Sequence, residues 1–194
     1  MKTFLTLALA VAVCLATFGS RIEGRASSVQ TLSPTDKQIF AAFEKRVKEY
    51  TKLREDLETK MPKLSKESKP EEIETHKKLF QERVRAARAA AKHGEMFTPE
   101  TAALFRATIK DEFKGKDRVE LRNTVLKESE NKAVPIRINY AYPESQELLE
   151  MPATLLLRLP QLPKQLRYRF VGPNMLLVDR ENGLIIDFMT NAIP

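Results

Sequence analysis

Leu166-Arg167-Tyr168-Arg169-Phe170-Val171-Gly172-Pro173-Asn174-Met175-Leu176-Leu177-Val178-Asp179-Arg180-Glu181-Asn182-Gly183-Leu184-Ile185-Ile186-Asp187-Phe188-Met189 is the stretch whose reading decides the fold. Leu166, Tyr168 and Phe170 alternate with arginines, the period-two pattern of a strand with one covered face. Gly172, Pro173 and Asn174 then read as a turn, 175–178 as a second strand, and 184–189 as a third beyond an Asn-Gly signal. This predicts a three-stranded antiparallel meander. Such a small sheet is marginal alone in water and needs a partner surface.

Upstream the pattern is helical and supplies that surface. Ser33-Pro34 with Asp36 reads as an N-cap with proline in the first turn, and Ile39, Phe40, Phe43, Val47, Tyr50, Leu53, Leu57 and Met61 form one stripe at helical spacing. Pro62 ends that helix. Ser68-Lys69-Pro70-Glu71 repeats the start signal for a second helix, striped by Ile73, Phe80, Val84, Ala87 and Ala91 and expected to stop at Gly94. The short link at 63–68 predicts an antiparallel hairpin. Thr98-Pro99-Glu100 starts a third helix with Ala102, Phe105, Ile109 and Phe113 on its apolar face, and Asp117 with Glu120 suggests a short fourth through Leu126. The run at 127–132 reads as a connector.

Between helices and meander, Ile136, Ile138 and Tyr140 alternate with Arg137 and Asn139, which predicts a further strand entered at Pro135. A short helical turn is expected within 151–159. The fold class that follows is α+β: an N-terminal helical hairpin plus further helices, with a small C-terminal antiparallel β-sheet. Charge marks the same division. Residues 27–132, the basic helical region, hold 24 lysines and arginines against 19 acids, whereas 133–194, the Pro-rich sheet region, hold 6 of each.

The first 26 residues read as a signal peptide: Lys2, an apolar run at 4–18, then small and polar residues. The run is shorter than the roughly 20 residues that span a bilayer, so no stable span is expected after cleavage, for which Ala26 is the preferred site. Ile22-Glu23-Gly24-Arg25 fits either such a cleavage region or an engineered protease tag. The sole cysteine, Cys14, lies inside the apolar run. Export therefore implies a periplasmic or extracellular protein that is held together without disulfides. Removal of 1–26 takes three basic residues and one acid and lowers the formal charge from +7 to +5.

Chemistry-bearing motifs are few. There is no Gly-x-Ser-x-Gly elbow and no glycine-rich phosphate loop, and no catalytic, cofactor or metal residue is assigned. Glu72 and His76 stand at metal-ligand spacing, but His76 shares the face of Ile73 and Phe80 and reads as a core histidine. His93 reads as a cation at a helix end. Asp179 is expected to begin the last turn and Asp187 to mark the wet face of its strand. Lys78, Arg85, Arg88 and Lys92 fall in one sector of the second helix, either a solvated face or a contact surface for an acidic partner. No aromatic platform accompanies them, which argues against nucleic acid.

Leu32-Ser33-Pro34 with Gln38, and Phe97-Thr98-Pro99-Glu100, resemble the paired segments of small periplasmic helical chaperones, whose members are basic and cysteine-poor. That resemblance implies shielding of unfolded protein, although the family has no C-terminal sheet. The run from Tyr168 to Ile186 is similar to the terminal hairpin of small periplasmic proteins linked to nickel and cobalt homeostasis. From Tyr142 onward, with Leu-Pro-x-Leu-Pro at 159–163, the chain resembles exported bacterial proteins with no assigned function. The function expected from all this is a non-enzymatic binding protein of the envelope or secreted space. A periplasmic stress chaperone and a hydrolase using carboxylate chemistry are the alternatives.

Overall fold

Ser33 opens the first helix, α1 (Pro34–Glu58), through a reciprocal cap: its Oγ accepts the Asp36 N–H at 3.1 Å while the Asp36 carboxylate accepts the Ser33 N–H at 3.1 Å. This is the arrangement in a computed structural model that describes residues 32–114, 119, 120, 122, 123, 127, 135–142 and 151–193. Phe40, Phe43, Val47, Tyr50, Thr51 and Arg54 form the buried face of α1. Helix α2 (Pro70–Ala87) is capped from Lys69, not Ser68; Glu72 accepts the Lys69 N–H at 3.0 Å, and Ser68 Oγ is taken by the N–H of Ser65. Proline fixes the first helical position in both cases.

α2 ends earlier than Gly94. Only Phe80 and Val84 are buried along it, and the alanines beyond have no bulky side chain with which to hold a face. Arg88 leaves helical geometry at φ −109 and turns inward. Tyr50 meets Arg88 and Arg54 meets Phe80, so α1 and α2 run in opposite directions, as the short link requires. Helix α3 (Pro99–Glu112) starts at Thr98, whose side chain accepts the Thr101 N–H, and buries Ala102, Phe105 and Ile109. Of the proposed helix at 117–126, the described residues Val119, Glu120, Arg122 and Asn123 are helical, as is Lys127 beyond it. The rest of that stretch, and of the connector, lies outside the described residues. A single turn, α4 (Ala153–Leu156), falls within 151–159 as expected and is tied to the end of α3 through Thr154 Oγ1 and Glu112 at 2.6 Å.

The meander is present: β1 (Leu166–Val171), β2 (Asn174–Asp179) and β3 (Ile185–Met189) pair antiparallel in the order β1-β2-β3. Gly172 at φ +55 and Gly183 at φ +72 make its two turns, a backbone region that costs glycine nothing. One face of the sheet lies against the helices. Phe105, fully buried, packs against Phe40, Phe43, Phe97 and Tyr168 with ring centroids 5.2–5.9 Å apart, so helices and sheet share one core. Each such aromatic pair contributes about 0.5–1.5 kcal/mol beyond its buried area.

The other face is covered by the segment at 135–142, where the expected strand does not form. Asn139 sits at φ 61 and breaks the extended run, leaving a single bridge from Ala141 to Leu184. Arg85 and Arg88 hold that bend, through the Asn139 carbonyl and Oδ1, both at 2.9 Å. Ile136 and Tyr142 then close over Leu176, Val178 and Ile185, which is why β2 is buried on both faces.

Candidate functional site

The β2–β3 turn docks on α1 through a buried ionic cluster. Asp179, fully buried, accepts the Tyr50 hydroxyl at 2.8 Å and Arg54 Nε at 2.9 Å on one oxygen. Its other oxygen accepts the backbone N–H groups of Glu181 at 3.0 Å and Asn182 at 3.4 Å. Asp179 thus begins the turn, as its position suggested, and in addition crosses to the helices. Arg54 completes the cluster with Glu58 at 2.9 Å and with Glu181. Burial opposes the charge of Arg54, but Asp179, Glu181 and Glu58 outweigh it and hold the guanidinium pKa above its ordinary value. Burial, then the charge of Asp179, pushes the Tyr50 pKa well up, so this hydroxyl remains a donor. Burial does the same to Tyr168, which donates to the Pro160 carbonyl at 3.0 Å.

These raised tyrosine pKa values have a sign. A group whose folded pKa lies above its unfolded value of about 10 stabilises the fold fully below that pH and progressively less above it. Stability is therefore expected to fall as pH rises beyond about 10, with Tyr50 and Tyr168 ionising only as the chain unfolds. Tyrosinate absorbance followed alongside circular dichroism checks this; ionisation of both residues in a chain that keeps its native dichroism would contradict it.

Asp187 was expected on a wet face and is instead fully buried. The register of β3 skips Ile186, pairing Leu177 with Asp187 and Val178 with Ile185, and this bulge turns Asp187 toward the helices beside Leu177. There its carboxylate accepts the N–H groups of Gly94 at 3.0 Å, Met96 at 2.8 Å and Phe97 at 2.9 Å. The loop between α2 and α3 is thereby fixed to the sheet. His93 adds to the same seam. Its Nε2 lies 2.9 Å from the Phe188 carbonyl, which can only accept, so Nε2 carries the proton.

A groove of about 410 Å³ opens between α1 and the end of α2, with Arg46, Glu49 and Tyr50 on one wall and Ala91, Arg88 and Glu95 on the other. Leu53 and Met96 are part of its apolar lining. Arg46 is fixed there by Nη2 bonds to the Met96 carbonyl at 3.1 Å and Thr101 Oγ1 at 3.0 Å. The four basic residues singled out in the sequence are not equally exposed. Lys78 and Lys92 are exposed, Arg85 is half-buried over the Tyr140 ring, and Arg88 is buried with 6% of its surface exposed. Only Arg88 of these lines the groove. The remaining groove residues were not singled out, because no local signal marks a wall shared by two elements.

A second groove lies at the α1–α2 connection, where Pro62, Leu64, Thr75, His76 and Leu79 form a mostly apolar lining. His76 is half-buried there, and Ile73, expected in the core, is 45% exposed; Glu72 is occupied at the helix start. Among the described residues no group of three His, Cys, Asp or Glu converges as a metal centre, and no helix is long and apolar enough to cross a membrane. Asp179 and Asp187 do not face one another, since each pairs across the sheet with a leucine, Leu166 and Leu177. No family model matches this chain, and the searches of curated proteins and of solved structures find no match either.

Proposed function

We propose that this chain is a non-enzymatic binding protein of the cell envelope or secreted space that contacts an acidic partner through lysines on its helices. One observation carries the reading. Across residues 32–114 every arginine is buried or half-buried, whereas every lysine except Lys77 is exposed. Arginine's planar fork suits fixed internal partners, and lysine's hydrated ammonium stays in water. The lysines of the helical region are thus presented outward. Lys45, Lys48 and Lys52 stand at three- and four-residue steps on the α1 face opposite Phe43, Val47 and Arg54. Export is supported by Lys2 and the apolar run at 4–18 that follows it.

One preparation tests both parts. Protein recovered from the envelope or medium should begin near residue 27 and should bind polyglutamate with an affinity that falls as salt is raised. Replacing Lys45, Lys48 and Lys52 together with glutamine is expected to weaken that binding about tenfold at low salt, since exposed charge pairs contribute about 0.2–1 kcal/mol each. An intact amino terminus on protein from the cytosol would refute export, and salt-insensitive binding would refute the surface. The apolar groove lined by exposed Leu64, together with the exposed Ile73 of α2, favours a second reading, the shielding of unfolded protein. That reading predicts suppression of a client's aggregation that persists in high salt.

A further inference from the structure

Arg88 and Arg54 are both buried cations, yet the fold neutralises them very differently. Arg54 has Asp179 and Glu58 at 2.9 Å, with Glu181 as a third carboxylate. Arg88 hydrogen-bonds only neutral oxygens, Asn139 Oδ1 at 2.9 Å and the Ile186 carbonyl at 3.0 Å. Its nearest carboxylate, Glu95, lies 3.5 Å away on a side chain that is 47% exposed. The face of Tyr50, 5.3 Å from the guanidinium carbon, offers a further but weaker compensation. A buried charge is tolerated when close, well-oriented counter-charges and hydrogen bonds replace water. Here the counter-charge is the distant part, and Nη1 of Arg88, which makes no hydrogen bond to the described residues, is not sealed from solvent.

This guanidinium, paired only with a half-exposed carboxylate, forms a wall of the groove between α1 and α2. Arg46 lines the same groove, and its buried Nε–H has no acceptor among the described residues. Leu53, Met96 and the alanines at 87, 90 and 91 give the groove an apolar patch, and Glu49, Tyr50 and Glu95 complete the lining. A volume of about 410 Å³ lies within the range of small-molecule sites, which combine an apolar lining with a few orienting polar groups. We propose that this groove binds a small molecule consisting of one carboxylate on an apolar body, whose carboxylate displaces Glu95 from Arg88. A carboxylate matches the guanidinium fork, and the apolar body matches Leu53 and Met96. Glu49 and Glu95 in the walls of the groove disfavour a multiply charged anion such as phosphate more than a single carboxylate. The site is separate from the outward lysines of α1.

Titration of the full chain with N-acetyl-leucine, N-acetyl-leucinamide and inorganic phosphate, read by calorimetry and by methyl resonances of Ala87, Ala90 and Ala91, tests this. The acid is expected to bind at least about tenfold more tightly than the amide, which keeps the apolar body and lacks the charge. Glu95→Gln removes the internal competitor without emptying the core, and should tighten the acid severalfold while leaving the amide unchanged. The Lys45, Lys48 and Lys52 triple variant should bind the acid as the unaltered chain does, which separates this site from the lysine surface. Displacement of the acid by polyglutamate from that triple variant would assign the carboxylate to a partner's side chain; retention would assign it to a free small molecule. Equal affinity for acid and amide, phosphate binding as tight as the acid, no shift at the three alanines, or weaker acid binding by Glu95→Gln would each overturn the proposal.

Discussion

Replacing Asp179 with alanine is expected to destabilise the fold by about 3–5 kcal/mol, the usual cost of stranding the partner of a buried ion pair. The carboxylate satisfies Tyr50, Arg54 and two backbone N–H groups of the last turn. Without it, Arg54 keeps Glu58 and Glu181 but loses the counter-charge that is buried with it. A domain is typically stable by only about 5–15 kcal/mol, so a large share would be lost. Urea unfolding monitored by circular dichroism measures the effect. Asp179→Asn, which retains the turn acceptor and removes the charge, should cost less than alanine. Pairing Asp179→Leu with Arg54→Met should recover much of the deficit, because removing both charges leaves neither stranded. A loss below about 1 kcal/mol for alanine would show that the cluster is not what holds the turn to α1.

Asp187→Ala is expected to cost about 3 kcal/mol or more, by a different route. No cation faces this carboxylate at ion-pair distance among the described residues; its partners are the N–H groups of Gly94, Met96 and Phe97 across the seam and that of the adjacent Phe188. Each buried donor left without an acceptor costs roughly 1–3 kcal/mol unless water reaches it. Hydrogen exchange locates the damage. The amides of residues 94, 96 and 97 should lose protection ahead of those in β1, because β1 lies on the far side of β2 from Asp187. Asn at this position keeps a single carbonyl acceptor and places an amide donor against the remaining N–H groups, so it should behave more like alanine than like aspartate. Unchanged exchange at all three amides would remove Asp187 from its role as the anchor of the loop.

Helix starts were legible because they are set within four residues. Proline in the first turn and an acid at Asp36, Glu71 or Glu100 mark α1, α2 and α3, and each helix begins at its proline. The end of α2 was not legible, since Gly94 does adopt a left-handed backbone at φ +84 but does so inside a loop. Arg88 had already turned away toward Asn139 and Ile186, acceptors about 50 and 98 positions further along. The arginine at 54 carried a signal that periodicity alone could have raised. It follows Val47 and Tyr50 at helical spacing, which places a cation on the buried face and demands a distant acid. Nothing local identified that acid as Asp179.

From the chain alone came the order of the elements: three proline-led helices, a helical turn and a three-stranded antiparallel meander. Capping, turn residues and the periods of helix and strand act over a few residues, so short windows contain the whole cause. The tertiary structure decided which polar side chains leave water. The bulge at Ile186 buried Asp187, the bend at Asn139 replaced a strand, and Arg54 found Asp179 across a separation of 125 residues. Burying a charge is favourable only when its partners arrive with suitable geometry, and that geometry exists only after the elements have packed.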